Sequence, residues 1–575
     1  MLDYSQLKSV NELNWYEDDP ILTRYAKRYL PESVLTYVED SFRKTGQLAA
    51  GPMDRRAVYT DRDGAPKLIR YNKKGEEINE VWYNEGYLQT VRDGYGTGVV
   101  AYRYDANAPS RIPFFVNAIL LYLLCEAEPG FTCPVGLTQS AAFVLEKFGS
   151  DQQKEVYLSR LASLDHEWFV QGATFLTEIQ GGSDVGAIKT VAVVEGDHYR
   201  LTGEKWFASN CDAEVAIVLA RVNDLPDTRG LGLFLVPRTL PDGTHNRVTI
   251  RRLKDKLGVR AVASGELAFE EAIGYLIGEE TKGFKYMAEA LNVSRLGTAL
   301  SGLASARRAL SEAALYTSQR AAFGQNVMQF PMVRETLSDL AVEIEAGWAI
   351  VAQTIKRFDE VHTYERDQNK SVHLLRILLS LVKLHCSELG VTSTRQAMEL
   401  HGGNGYIEEY VTARLLRDAL VNPIWEGTAN IQALEVLKNL QKGGAVEFLG
   451  DLENTLQLLH LSGTERLRDT LRTELMRCEK LMGHVLQQAY EVQSAMAKRL
   501  ALFMYEVFAA IHLLEEAQYD MIHFHDKRRL LVTESWVNKS FSMDANRDIL
   551  NNRLVTENDL QVFVAFKSIP LEDLT

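Results

Sequence analysis

The stretch that decides the fold spans residues 401–432 and reads HGGNGYIEEYVTARLLRDALVNPIWEGTANIQ. It opens on a glycine-rich turn at Gly402 and Gly403, where a backbone can approach a flat ligand closely. It ends on one carboxylate, Glu426, which follows Trp425 in an otherwise apolar segment. Burial beside an indole raises the pKa of a carboxyl group and strengthens it as a base. The alternative is structural, because a lone glutamate beside a glycine can also cap the start of a helix.

A long helix with two arginines is predicted upstream of this stretch. From about residue 284, apolar residues recur at helical spacing and form one stripe: Leu296, Leu300, Leu303, Leu310 and Ala314. Arg295 lies near the start of this helix, and Arg320, in the segment RAAFG, follows 25 residues later. A guanidinium at a helix end can pair bidentately with a pyrophosphate, although two solvated arginines give the same pattern.

Two further segments lie where the helical texture gives way to short strands. FLTEIQGGSD at 175–184 predicts a glycine-rich loop whose hydroxyl groups, at Thr177 and Ser183, can donate to a flat ligand. GEKWFASN at 203–210 sets two aromatic residues beside a Ser-Asn pair, which could wall a planar ring and bond its edge. Each segment has a structural alternative: a turn capped by Ser and Asp for the first, and a strand with one face in the core for the second.

Changes in residue periodicity along the chain divide it into four predicted domains. Apolar and polar residues alternate around a hairpin signal at Gly196-Asp197, and a break at Gly443 separates two helical regions. An irregular or hairpin excursion is predicted at about 55–105. The domains are residues 1–172 (N-terminal, helical), 173–283 (middle, β), 284–440 (C-terminal helical bundle) and 441–575 (an extra helical domain). The predicted fold class is therefore mainly α with a central β domain.

The composition indicates a globular protein that is not a general binder of polyanions. Of the 575 residues, 46% are hydrophobic and 24% charged, which excludes disordered, collagen-like and coiled-coil compositions. The 63 Lys plus Arg against 77 Asp plus Glu give a net charge of −14, whereas affinity for nucleic-acid backbones depends on clustered basic residues. A nucleotide cofactor stays compatible with this charge, since a few backbone amides and one arginine can hold it.

Cysteine usage and the apolar runs predict a cytoplasmic protein without a membrane span. The five cysteines form no CxxC pair and no His/Cys ligand spacing, so reduced thiols are expected and no metal site is predicted. The polar, acidic N-terminus is unlike a secretory signal. The longest apolar run, Phe114 to Cys125, is broken by Asn117 and is shorter than the ~20 residues that span a bilayer.

Together, these segments resemble the acyl-CoA dehydrogenase family of flavoproteins. The motifs TExxGGSD, GxKWFxSN, an arginine pair ending in RxxFG, HGGNGY and WEGTxNIQ occur in the family's order over about residues 110–440. The resemblance implies a helical N-terminal domain, a middle β domain and a C-terminal helical bundle, with FAD as the cofactor. The segments LPDG at 240–243 and LKDKLG at 253–258, and the long helical tail, are most similar to the AidB-type branch.

The resemblance assigns the reaction chemistry to Glu426. Family members remove the α-proton of a fatty acyl-CoA thioester with a glutamate while a hydride passes from the β-carbon to flavin N5, and Glu426 matches that glutamate. The thioester carbonyl is polarised by a backbone N–H, here that of Glu426, and by a ribityl hydroxyl. Some branches place the base just before the helix arginine, where this chain has Ser294, and Arg295 would support the site electrostatically.

The same matching implies which residues surround the cofactor and the substrate. The cofactor-binding residues are Phe175, Thr177, Phe207, Ser209, Arg320, Phe323, Gly402, Gly403, Thr428 and Asn430. Ser183 would meet the CoA part of the substrate, and Trp425 would wall the acyl pocket. Because the family shares FAD sites between subunits, the resemblance implies a homodimer or homotetramer, with acyl-CoA as the substrate and an electron-transfer flavoprotein as the electron acceptor.

Two other functions are compatible with the same fold. An AidB-like flavoprotein would bind DNA in the alkylation response with weak dehydrogenase activity, and an acyl-CoA oxidase would pass electrons to oxygen. The first predicts a basic tail, but residues 441–575 hold 15 Lys plus Arg and 20 Asp plus Glu, a net charge of −5. Only Lys527-Arg528-Arg529 forms a basic cluster there, and we interpret it as a solvated helix end. The oxidase stays open because oxygen access depends on pocket shape.

Overall fold

A computed structural model describes residues 2–363, 372–460, 463–541 and 554–571 of the chain. The chain folds as two compact units, one made of Met1–Leu30 with Thr298–Thr575 and the other of Pro31–Gly297. The first unit, called the helical unit below, consists mainly of α-helices. The second, called the mixed unit, combines helices with a β-sheet.

Several helices begin where a side chain satisfies free backbone groups. At the first helix, Asp19 accepts hydrogen bonds from the N–H groups of Ile21 and Leu22, and Pro20 occupies the first helical position. The α-helices are α1 (Pro20–Tyr29), α2 (Glu32–Leu48), α3 (Asp54–Arg62), α4 (Glu85–Gly96), α5 (Phe114–Ala127), α6 (Pro129–Phe148), α7 (Asp151–Gln153), α8 (Ser159–Leu161), α9 (Gly283–Gln319), α10 (Pro331–His362), α11 (Val372–His401), α12 (Val411–Ala419), α13 (Ala429–Asn439), α14 (Ala445–Leu458), α15 (Glu465–Leu486), α16 (Tyr490–His523), α17 (Arg528–Phe541) and α18 (Glu557–Phe563).

The strands belong to one large sheet and two hairpins. They are β1 (Lys67–Tyr71), β2 (Glu77–Trp82), β3 (Gly172–Phe175), β4 (Val191–Glu195), β5 (His198–Ser209), β6 (Val215–Arg221), β7 (Leu231–Pro237), β8 (Val248–Leu253), β9 (Ser264–Leu276), β10 (Ala321–Ala322) and β11 (Gln325–Asn326). Strands β3 to β9 form the large sheet, in the mixed unit, while β1–β2 and β10–β11 pair as separate hairpins.

The pairings of the large sheet close into a ring. From β6 the hydrogen-bonded neighbours run through β4, β5, β9 and β7 and return to β6, with β3 added beside β6 and β8 beside β9. The cluster inside this ring is apolar and includes the fully buried Leu201, Val218, Phe234 and Leu267. Because backbone bonds and the apolar core fix the strands, the loops at the strand ends can carry functional side chains.

Several sequence predictions are confirmed by these elements. The hairpin at Gly196-Asp197 joins the antiparallel strands β4 and β5. The excursion at 55–105 contains the hairpin β1–β2, flanked by α3 and α4. The helical path breaks at Gly443, which has a φ of 97°. The fold class, mainly α with a central β domain, is confirmed, while the four domain boundaries stay a prediction.

Among the residues that the structure describes, no helix combines the length and the apolar character needed to cross a membrane. The helix over the longest apolar run, α5, is buried along its whole length. Its apolar side chains therefore contribute to the core of the mixed unit.

A buried network of charged residues joins α1 to α16 in the helical unit. Arg24 lies 2.7 Å from the carboxylate of Asp520 and 2.6 Å from that of Asp526. Arg28 lies 2.7 Å from Glu515 and 3.2 Å from Glu516. Since charges buried in this way need partners, α1 and the C-terminal part of α16 depend on each other for neutralisation.

The basic cluster at Lys527-Arg528-Arg529 extends the same network, and its interpretation as a solvated helix end is wrong. Arg528 is 3% exposed and Arg529 is 2% exposed. Arg528 donates two hydrogen bonds to the carboxylate of Glu345 on α10, one of them at 3.0 Å. Arg529 lies 3.3 Å from Asp520. Two of the three basic side chains are therefore buried and paired, so they are not presented to an external polyanion.

We expect Arg528→Met to destabilise the helical unit, because it leaves the buried carboxylate of Glu345 with only part of its neutralising charge. The free energy of unfolding should fall by about 3 kcal/mol. Urea unfolding followed by circular dichroism measures this change. The matched control is Lys527→Met, the neighbouring residue, whose side chain donates to the Leu571 carbonyl and is only half-buried. If both variants lost the same free energy of unfolding, the buried Arg528–Glu345 pair would contribute no more to stability than the half-buried Lys527.

Candidate active site

A buried ion pair fixes the loop that follows β3 in the mixed unit. The ammonium group of Lys205, on β5, lies 2.9 Å from the carboxylate of Glu178. Glu178 also accepts from the backbone N–H of Lys189 at 2.6 Å and from the backbone and hydroxyl of Thr190 at 3.0 and 2.5 Å. Burial lowers the pKa of Lys205 to about 8, and the adjacent Glu178 partly offsets that effect. The motifs at 175–184 and 203–210 are thus cross-linked through their charged residues.

The backbone of the same loop is held close to β5. The Thr177 carbonyl accepts from the N–H of Trp206 at 2.9 Å. A Cβ atom at Gly182 would lie 2.5 Å from the Thr177 hydroxyl oxygen, so this position requires glycine. The hydroxyl of Thr177 therefore lies directly beside the Gly-Gly turn.

The predicted cofactor and substrate residues of the mixed unit differ in exposure. Phe207 is 63% exposed, and Ser183 is also exposed. Ser209 is half-buried, with its hydroxyl 3.0 Å from that of Ser264. Phe175 is only 4% exposed and belongs to the apolar cluster inside the ring of strands. The first three side chains are thus exposed in full or in part, whereas the ring of Phe175 is enclosed in the core.

The aromatic pair on β5, half-buried Trp206 and exposed Phe207, has a cationic neighbour that sequence reasoning missed. The ammonium group of Lys254 lies 3.4 Å from the centre of the Trp206 ring and 5.0 Å from that of Phe207. It also lies 2.5 Å from the carboxylate of Glu266. Such a contact places a positive charge beside the exposed face of Phe207. Its only sequence signal was its place in the LKDKLG segment.

Ser294 and Arg295 lie in the Gly283–Gly297 part of the long helix α9, which belongs to the mixed unit. Ser294 and Arg295 are both half-buried. Helix α9 confirms the predicted long helix, and Arg320 is the residue directly after its end, as predicted.

In the helical unit, Glu426 lies in a strained turn just before α13. Its φ is +57°, in the left-handed region that non-glycine residues rarely adopt, and Gly427 follows with a φ of +97°. Thr428, not Glu426, is the residue that precedes the first turn of α13. The capping alternative for Glu426 therefore does not apply. Trp425 and Glu426 are both half-buried.

Two fully buried side chains hold this turn, and sequence reasoning missed both. Lys383 of α11 donates to the carbonyls of Pro423 at 3.1 Å and Gly427 at 2.6 Å. Gln432 of α13 donates to the carbonyls of Glu426 at 2.9 Å and Gly427 at 3.1 Å. The backbone around Glu426 is thereby bonded on both sides. No motif spacing linked Lys383 to a loop 40 residues later in the chain.

The segment after α9 forms a tight hairpin that projects an aromatic ring. Strands β10 and β11 enclose Phe323 and Gly324, with φ values of 51° and 84°. Positive φ at both central residues is typical of a two-residue hairpin turn. Phe323 is 98% exposed, and its ring lies 6.2 Å from that of Phe330. Arg320, at the base of the hairpin, is exposed as well.

The glycine-rich turn at the end of α11 has an open surface. Gly402 has a φ of +61°, and, among the described residues beyond the local chain, no atom lies within 4 Å of where a Cβ would stand on Gly402 or Gly403. The turn is anchored by His401, whose ring stacks on Tyr316 with centres 4.2 Å apart. Burial lowers the pKa of His401. Thr428 and Asn430, at the start of α13, are exposed.

Family models describe most of the chain. The N-terminal domain of the adaptive response protein AidB matches residues 5–167. The acyl-CoA dehydrogenase middle domain matches 173–272, and the acyl-CoA dehydrogenase C-terminal domain matches 281–441. All five quoted motifs fall within the last two matches.

Similar proteins match along most of their length. The chain is 30% identical over 477 residues to a putative acyl-CoA dehydrogenase, AidB, of Escherichia coli, covering 80% of this chain and 86% of that protein. The structure of Caenorhabditis elegans ACDH-11 in complex with C11-CoA matches with a TM-score of 0.84 and 26% identity, over 94% of this chain and 95% of that one. A Bacillus anthracis acyl-CoA dehydrogenase complexed with FAD shares the fold, with a TM-score of 0.70 and 20% identity over 93% and 89% of the two chains. The chain therefore belongs to the acyl-CoA dehydrogenase family and is an oxidoreductase of its AidB-like branch.

Proposed function

We propose that this protein catalyses the FAD-dependent α,β-dehydrogenation of a fatty acyl-CoA thioester, with Glu426 as the base. The observation that carries the proposal is the turn at Glu426, where a buried ammonium and a buried amide bond the carbonyls around one half-buried carboxylate. A non-glycine residue in the left-handed backbone region is strained, and such strain is typical of functional positions. The C11-CoA complex of the similar nematode protein supports an acyl-CoA substrate.

The residues present fit FAD as the cofactor. Open space above Gly402 and Gly403 lets the ligand approach their backbone, and the exposed ring of Phe207 offers a face for a planar system. Thr177 and Ser209 supply hydroxyl groups for its edge. On this proposal the remaining contacts come from the Phe175 backbone, Arg320, Phe323, Thr428 and Asn430. The Arg320 guanidinium suits the pyrophosphate because it can pair with it bidentately.

The chain's own groups would carry the proton chemistry. FAD, when bound, supplies the acceptor for the hydride that leaves the substrate β-carbon. The Glu426 carboxylate takes the α-proton, and the Glu426 N–H donates to the thioester carbonyl, which makes that proton removable. Trp425 would line the acyl pocket, Ser183 would meet the CoA part, and Arg295 would support the site electrostatically.

The electron acceptor, the oligomeric state and the cellular location are part of the same proposal. Electrons would leave through an electron-transfer flavoprotein, and the protein would act as a homodimer or homotetramer in the cytoplasm. The 98% exposure of Phe323 supports a contact with a second subunit and its FAD, since a ring held out in this way in a strained turn gains little within its own chain.

We expect Glu426→Gln to abolish the anaerobic bleaching of the flavin by acyl-CoA, because an amide cannot accept the α-proton. The rate should fall by about 10²- to 10⁴-fold. Stopped-flow absorbance with acyl-CoAs of several lengths measures it, and Glu453→Gln, on the exposed side of α14, should bleach as the wild type does. Bleaching retained in Glu426→Gln would refute the base. Rapid hydrogen peroxide formation in air would indicate an oxidase instead.

We expect Phe323→Asn to release FAD and dissociate the oligomer without unfolding the chain. Asparagine tolerates the left-handed backbone of the turn, so only the exposed ring is lost. The flavin-to-protein ratio after gel filtration and the mass from sedimentation report the two effects. Met332→Ala, which removes another exposed apolar side chain (79% exposed), is the control and should retain both. An unchanged flavin content in Phe323→Asn would contradict the shared site.

A further inference from the structure

Lys383 is a buried cation whose hydrogen bonds go to the backbone on either side of the proposed base. Its side chain is fully buried in the middle of α11. The ammonium donates to the carbonyls of Pro423 and Gly427, at 3.1 and 2.6 Å. Burying an ammonium is costly unless its protons are bound, so the position of these carbonyls and that of Lys383 depend on each other.

The carbonyls that Lys383 binds lie in a segment without regular secondary structure. Between α12 and α13, backbone turns bind the N–H groups of Ile424 and Trp425 to the Val421 carbonyl, whereas side chains bind the carbonyls of Pro423 and Gly427. Gln432, also fully buried, completes the set by donating to the carbonyls of Glu426 and Gly427. The Gly427 carbonyl thus receives two side-chain donors, and the peptide that follows Gly427 is bound from both α11 and α13.

These hydrogen bonds hold the backbone that orients the Glu426 side chain. The left-handed backbone at Glu426 sets the direction of its Cα–Cβ bond, and that conformation costs of order 1 kcal/mol or more unless the surroundings hold it. Gly427 has no room for a side chain, since a Cβ there would lie 2.9 Å from the Gln432 amide nitrogen and 3.0 Å from Ile431. The turn is therefore held by two side chains and permitted by one glycine.

We infer that Lys383 is a positioning residue for proton abstraction, which acts through the Gly427 carbonyl to hold the Glu426 turn in its reactive geometry. The inference rests on the proposed function of Glu426. Lys383 itself does not take the proton. Because a displacement of about 1 Å at a reacting group can cost 10²-fold in rate, loss of this ammonium reduces the chemical step and leaves substrate binding largely intact.

The test compares Lys383→Met, Lys383→Arg and the control Lys438→Met, an α13 lysine whose side chain is 55% exposed. Flavin bleaching by acyl-CoA is followed at saturating and subsaturating substrate, with normal and α-deuterated acyl-CoA. For Lys383→Met we expect an ~10²-fold slower maximal rate, an unchanged dissociation constant and a larger deuterium effect. Lys383→Arg, which keeps charged N–H donors, should recover most of the rate, and Lys438→Met should equal the wild type.

Hydrogen exchange of the backbone amides over 424–428 gives a readout that does not require turnover. We expect faster exchange there in Lys383→Met, with the amides of α13 unchanged. An unchanged rate, or a loss confined to substrate affinity, overturns the inference. If Lys383→Met does not fold, Lys383→Gln, an uncharged donor, takes its place with the same expectations. A wild-type protein that fails to bleach refutes the proposed function, and the inference with it, whereas normal wild-type bleaching with an unaffected Lys383 variant refutes the inference alone.

Discussion

Irregular backbone can be buried only where its polar groups find partners. In this protein, buried ammonium groups bind the loop after β3 and the turn at Glu426. Lys205 binds Glu178 and so fixes the loop that carries Thr177 and Ser183. Lys383 binds the carbonyls on either side of Glu426. A cation on a rigid strand or helix can hold a loop that has no regular hydrogen-bonding pattern of its own. Both loops are therefore bonded to the strand or helix beside them.

The C-terminal extension follows the same physical rule on a larger scale. Its helices α16 and α17 contribute carboxylates and guanidinium groups that pair with α1 and α10 inside the helical unit. Such pairs add little net stability over apolar packing, but breaking one is expensive because the other charge stays buried. The extension is therefore an integral part of the helical unit. Two of the three side chains of its Lys527-Arg528-Arg529 cluster are buried in these pairs.

The difference between regular elements and the turns at their ends explains why the proposed site residues differ so much in exposure. Phe175 ends a strand and its ring belongs to the core, whereas Phe207, on a longer strand, faces outward. Gly402 and Phe323 lie in turns with positive φ and open surroundings. The exposed members of the proposed set, such as Phe207 and Phe323, lie near the ends of elements, whereas Lys205 and Lys383, which bind the loops, are buried.

The sequence by itself determined the order of helical and β regions, the hairpin at Gly196-Asp197, the break at Gly443 and the motifs that carry the family resemblance. These features depend on local periodicity, turn chemistry and short spacings, which a sequence displays directly. Only the tertiary structure decided that Lys383 meets the Glu426 turn, that Glu178 and Lys205 pair, and that Arg528 and Arg529 are buried. These contacts join residues distant along the chain, and a lysine or arginine that is solvated looks the same in a sequence as one that is buried and paired. The pairing follows from which helices and strands pack together, and that is a property of the whole fold.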